Sequence, residues 1–108
     1  MNDETPYCIV LTTMPDEAQG DTLATRIVEA GLGACVQIQP VRSVYRWQGQ
    51  LCREPECLLL IKTRRARFEA LAQFIRAHHP YETPEIVQVP ITAGSSDYLR
   101  WVDAGTQG

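Results

Sequence analysis

The stretch ACVQIQPVRSVYRWQGQLCREPECLLLIKT, from Ala34 to Thr63, decides how this chain folds. Ala34 to Trp47 reads as one long extended segment. Gln48-Gly49 reads as a turn, of a weaker kind than Asn-Gly. Gln50 to Thr63 then returns and ends in the apolar run CLLLI. The whole is a β-hairpin with unusually long arms. A regular hairpin about Gln48-Gly49 places Tyr45 opposite Cys52 and Cys35 opposite Lys62. Pro55 cannot donate to a ladder, so a bulge or an edge is expected there, and a bulge would shift the pairing.

Working outward toward the N-terminus, Tyr7-Cys-Ile-Val-Leu-Thr-Thr13 is a short apolar run with β-branched residues, as in a strand buried on both faces. Thr13 is expected to cap the helix that follows, with Pro15 in its first turn. Asp16 and Glu17 suit the positive helix start. Leu23, Ala24, Ile27 and Val28 recur at helical spacing, and Gly31 and Gly33 end the helix. On the other side of the hairpin, Phe68, Leu71, Ala72 and Ile75 form one core-facing stripe of a second helix. His79-Pro80 closes it, because the residue before proline avoids the helical region. Glu85 to Ile91 (EIVQVPI) is the next strand, with Pro90 at its end or edge. Gly94 to Asp97 turns into a short terminal helix carrying Tyr98, Leu99, Trp101 and Val102.

The order β-α-β-β-α-β-α is an α+β arrangement, the ferredoxin-like split βαβ with a tail helix. One antiparallel sheet with helices on a single face leaves its other face open. Yet CIVL, CLLLI and IVQVPI are too apolar for a wet face. Something must cover it, and a second copy of the chain is the simplest candidate.

Composition sets the limits of function. The chain has 108 residues, 44% of them hydrophobic and 21% charged, with a net charge of −3. That is the composition of one ordinary globular domain. No apolar run approaches the roughly 20 residues of a membrane helix. The start, MNDETPY, is polar and acidic rather than a signal peptide, so the cytoplasm is the expected compartment. No basic stretch is interleaved with aromatics, which speaks against nucleic acid as a partner. Cys8, Cys35, Cys52 and Cys57 form no C-x-x-C pair. Cys8, Cys35 and Cys57 lie in or beside apolar runs and read as reduced and structural. The ten basic residues include a single lysine, Lys62.

Six motifs, TTMPDEA, LGACVQI, SVYRWQGQL, LLLIKT, HHPYETPEIVQVPI and DYLRWV, together resemble the CutA family of divalent-cation-tolerance proteins. The resemblance runs through residues 7–103, in order and with matching spacing. It implies one CutA-like domain over 1–108, with short flexible termini outside a 7–103 core. It also implies a tight cytoplasmic homotrimer, an architecture similar to the nitrogen-regulatory PII proteins, and a link to divalent metal tolerance, copper especially.

Three groups of residues are candidates for chemistry. The first is HHPYETPE, His78 to Glu85. Neutral imidazole is a good ligand for copper and zinc. Adjacent helical residues point about 100° apart, so His78 and His79 grip one ion only at a fraying end. Glu82 and Glu85 could add oxygen ligands. The plainer reading puts both histidines near the negative helix end, with the prolines shaping a corner. The resemblance implies copper binding at this pair together with a cysteine at the end of the first strand, where this chain has Thr12, a poor copper ligand. The second candidate is Cys35, whose thiol would be activated by Lys62 across the hairpin, against the plainer reading of an inert thiol. The third is Tyr45, Trp47, Glu54, Lys62 and Tyr81. They read either as packing between subunits or as a cleft between subunits for a small anion, by analogy with PII proteins. No phosphate-cradling glycine motif supports the anion. No Ser-His-Asp ordering stands out, and an enzyme is not expected. The sequence thus predicts a trimeric protein binding copper or another divalent cation. The alternative is a PII-like signalling or interaction module that takes a small anion or a protein partner.

Overall fold

Two left-handed residues make the long hairpin possible. In the computed structural model, which describes residues 5–107, Gln48 has φ 51° and Gly49 φ 79°. Two successive positive φ values match the right-handed twist of the flanking strands. Strands β2 (Cys35–Trp47) and β3 (Gln50–Arg64) therefore pair without a break, from Trp47 facing Gln50 back to Cys35 facing Lys62. The bulge allowed for at Pro55 is absent, and Pro55 faces Arg42 in register. The edge half of that expectation holds. Strand β1 (Tyr7–Met14) pairs with the Cys57–Arg64 half of β3, so among the described residues no strand pairs with the outer half on that side. Pro40, facing Cys57, lies two rungs from the Pro55 pair and so in a pair of the same type. Proline fits the type whose backbone nitrogens point away from the partner strand.

Strand β4 (Val87–Pro90) pairs with β1, completing an antiparallel sheet of order β2-β3-β1-β4. It is shorter than the expected Glu85–Ile91. Ile86 instead packs against the core, while the Ile91 N–H still bonds the Tyr7 carbonyl at 3.0 Å. Helix α1 (Glu17–Glu29) starts later than expected. Thr13 stays in β1, facing Leu58, and Asp16 is the cap, its carboxylate accepting the Gln19 N–H at 2.8 Å. The helix ends in paired bonds from Gly31 N–H to the Val28 carbonyl and from Leu32 N–H to the Ile27 carbonyl, a left-handed stop that satisfies its last carbonyls. Gly33 then passes so close to the sheet that a Cβ there would lie 2.7 Å from Ile61 Cγ2. Helix α2 (Phe68–His78) follows a single 3₁₀ turn, and α3 (Ser96–Gly105) is the last element.

Helices α1 and α2 cover one face of the sheet. Leu23 and Ile27 of α1 and Leu71 and Ile75 of α2 close over Cys8, Val10, Leu59 and Ile61, all of them buried. Val28, expected within the apolar repeat, lies outside it and is 44% exposed. Helix α3 is held at the sheet end. Tyr7 Oη donates to Asp103 at 2.7 Å, and Arg64 Nε donates to Thr106 Oγ1 at 2.8 Å. The opposite face carries Ile9, Leu11, Leu58, Leu60, Val87 and Val89 side by side, with Val87 and Val89 44% and 43% exposed. Among the described residues no helix is long and apolar enough to cross a membrane. The expectation of flexible termini concerns, at residues 1–4 and 108, positions outside the described residues.

Candidate functional site

The corner after α2 sets the geometry. His79 is held extended (φ −98°, ψ 137°) ahead of Pro80, as the proline ring requires. This turns its ring inward. Its Nδ1 accepts the Tyr81 N–H at 3.1 Å, so its Nε2 carries the proton and donates to the Thr13 carbonyl at 2.8 Å. Burial holds its pKa below the usual histidine value, against weaker upward pulls from the Thr13 carbonyl and Glu56. His79 is therefore a neutral structural tie between the corner and β1, with both nitrogens engaged.

His78 faces elsewhere. Its Nδ1 donates to the Phe74 carbonyl at 2.9 Å and its ring lies 4.4 Å from that of Phe74. With Met14 and Arg26 it borders a shallow depression of about 230 Å³. Among the described residues its Nε2 has no hydrogen-bond partner. The two histidines thus do not converge. Among the described residues no three His, Cys, Asp or Glu side chains are grouped to hold a metal ion. Thr12 is fully buried in β1, and its hydroxyl has no hydrogen-bond partner among the described residues.

Cys35 does face Lys62, as the regular hairpin requires. The lysine Nζ, however, donates to the Gln37 side-chain carbonyl. All four cysteines are free thiols. Burial pushes the Cys8 thiol up to about 11 and raises that of Cys57, which suits inert packing.

The third group is partly assembled. Tyr45 and Trp47, alternate residues of β2, share a face with Ser43. They meet Tyr81 across an open groove of about 690 Å³, also lined by Glu56, Glu82 and Glu85. Lys62 is not in it, lying further along the sheet beside Gln37. Glu54 is close enough for its charge to be felt by Tyr45 and Tyr81. The centre of the groove is Glu56, absent from the sequence reading. Tyr81 Oη donates to Glu56 Oε2 at 2.5 Å. Burial first, and then this bond, hold the Tyr81 phenol well above its usual pKa, so it stays a donor. Tyr45 is raised chiefly by burial. A signal for Glu56 was present. Cys52, Glu54 and Glu56 alternate on the face that the hairpin register shares with Tyr45, but a glutamate beside Pro55 looks like a solvated edge. The charged side chains lining the groove are all carboxylates.

An antiparallel ferredoxin-like sheet with a long hairpin and an apolar open face defines the class. Residues 8–105 match the CutA1 divalent ion tolerance protein family. The chain is 44% identical over 99 residues to the divalent-cation tolerance protein CutA of Thermus thermophilus, covering 91% of this chain and 96% of that one. It is 42% identical over 103 residues, 94% of its length, to the chloroplastic protein CutA of Arabidopsis thaliana, of which it spans 57%. Its fold superposes on CutA from Synechococcus elongatus with a TM-score of 0.93 at 38% identity, covering 96% of this chain and 93% of that one. The chain belongs to the CutA1 divalent ion tolerance family.

Proposed function

We propose that this chain serves divalent-cation tolerance without catalysis, as a cytoplasmic homotrimer that meets copper or a related ion at His78. The supporting observation is the contrast within the histidine pair. His78 is exposed and its Nε2 has no hydrogen-bond partner among the described residues, while both nitrogens of His79 are engaged. One imidazole nitrogen does not make a resident copper centre, and Thr12 supplies no thiolate. Further ligands would come from a second copy or from solvent, so contact with the ion is shallow. The apolar face of Ile9, Leu11, Leu58 and Leu60 supports the trimer, with strands of neighbouring copies extending one another's sheets.

Calorimetric titration with copper(II) tests this reading. His78→Ala should weaken uptake, whereas His79→Ala should lower stability and leave uptake in the folded fraction unchanged. Equal uptake by wild type and His78→Ala removes the histidine from the function. The PII-like alternative keeps a groove of small-ligand size, but its lining offers no cationic side chain for an anion.

A further inference from the structure

We infer that the depression beside α1 receives the divalent ion already complexed, as an anionic chelate with a small carboxylate ligand; this rests on copper contact at His78, with Arg26 meeting the ligand's carboxylate.

Arg26 is the carrying observation. Helix α1 turns Gln19, Thr22, Leu23 and Arg26 to one side, at i, i+3, i+4 and i+7, and all four line the depression with Met14 and His78. Leu23 is buried and fixes that side of the helix against the core. A long helical side chain leans back toward the helix N-terminus, which carries the exposed Arg26 along the depression above Thr22. The neighbouring polar groups are occupied. Thr22 donates to the Ala18 carbonyl at 3.1 Å, and Gln19 donates to Asp16 through both its backbone N–H and its side-chain amide. No carboxylate lines the depression. The ion pairs of the described residues are Arg64–Asp103 and Arg100–Asp97, so among them Arg26 has no acidic partner.

A bare divalent ion fits this surface poorly. It would gain one imidazole nitrogen and be repelled by the guanidinium on the same wall. Among the described residues no three His, Cys, Asp or Glu side chains group to complete its coordination. A chelated ion removes both difficulties. The chelator fills the other coordination positions and reverses the net charge, and a carboxylate is what a guanidinium binds best. His78 Nδ1 donates to the Phe74 carbonyl at 2.9 Å, so Nε2 is the nitrogen without a proton. It takes the position held by a water molecule. The bond from copper to water breaks, the bond to Nε2 forms, and copper stays copper(II). The volume of about 230 Å³ lies below the ordinary range for drug-sized ligands, as a chelate of few atoms requires. The depression is on the helix side of the sheet, opposite Ile9, Leu58 and Leu60, so self-association through that open face does not cover it.

The test is calorimetry on the intact protein at low ionic strength, with anionic copper(II) nitrilotriacetate against cationic copper(II) diethylenetriamine. Electron paramagnetic resonance reports the added imidazole nitrogen in each. The anionic complex should bind tighter by about fivefold, the order of one exposed charged contact, and lose that advantage as salt is raised. Arg26→Gln, at an exposed position, should bring the two complexes level. Arg26→Lys should keep part of the preference, and His78→Ala should abolish the nitrogen signal with both. Equal affinity for the two complexes, or a preference that survives Arg26→Gln, overturns the chelate proposal and leaves copper contact at His78 standing. Uptake of bare copper(II) through His78 with neither complex bound does the same. An unchanged nitrogen signal in His78→Ala, or no uptake in any form, overturns both readings.

Discussion

The two faces of the sheet carry similar side chains in different surroundings. Val10, Leu59 and Ile61 lie under α1 and α2 with no solvent exposure. One residue along each strand, Ile9, Leu11, Leu58 and Leu60 are as apolar, but the chain covers them only in part. Val87 and Val89 extend that open face to the β4 edge. Apolar pattern along a strand therefore reports how much water the residue avoids in the working state, which need not be the single chain. The helix-covered face is closed by its own sequence neighbours. The open face is the one on which the proposed self-association rests.

On the scale of the chain's own stability, the covered face should respond most. Ile61→Ala leaves a cavity under both helices and is expected to cost about 2–5 kcal/mol, read from the denaturation midpoint at unchanged slope. Adding volume at the same place should cost less. Gly33→Ala puts a methyl 2.7 Å from Ile61 Cγ2 and 3.0 Å from Ile27 Cγ2, for a loss of about 1–3 kcal/mol. In a double variant with Ile61→Ala, part of the residue-33 loss should be recovered relative to Ile61→Ala alone, because the clashing Cγ2 is gone. No recovery would mean that the close approach is not what limits residue 33.

The open face should answer in the opposite way. Val89→Asp is expected to change the stability of the single chain by no more than about 0.5 kcal/mol, while sharply reducing the sedimenting mass at micromolar concentration. Intact assembly in this variant would break the contrast between the faces.

The corner gives a pH term. His79 binds its proton less tightly folded than unfolded, because burial lowers its pKa from 6.5. As pH falls below that unfolded value, the unfolded chain takes up the proton first, and stability declines until the folded value is passed. Its contribution is fully present above the unfolded value. His79→Gln should flatten this part of the stability profile, measured as denaturation midpoint against pH. A profile that keeps its slope would assign the titration to another group. The smallest effect belongs to the turn. Gln48→Asn, at φ 51°, should stabilise the hairpin by a few tenths of a kcal/mol, since asparagine tolerates the left-handed region better.

Much of the fold was legible because its signals are local. The hairpin register follows from one turn and strict alternation, so Cys35 faces Lys62 as the sequence predicts. The α2 stripe of Leu71, Ala72 and Ile75 is buried as its spacing requires. The misreadings arose where two local rules competed. Thr13 and Asp16 are both cap residues, and pairing with Leu58 kept Thr13 in the strand. Pro55 is permitted at a bulge or at an edge, and the shortness of β1 made it an edge.

By itself, the sequence determined the element order, the hairpin and its pairing, the apolar stripes and the family motifs. These depend on backbone sterics and on spacing between near neighbours. Only the tertiary structure decided which side chains form a site. It joined Tyr81 to Glu56 across 25 residues and His79 to Thr13 across 66. It also parted His78 from His79 and left Lys62 outside the groove. A site is a convergence of side-chain directions from distant segments. Those directions depend on where each strand and corner stops, and strand ends and corners are where local rules compete.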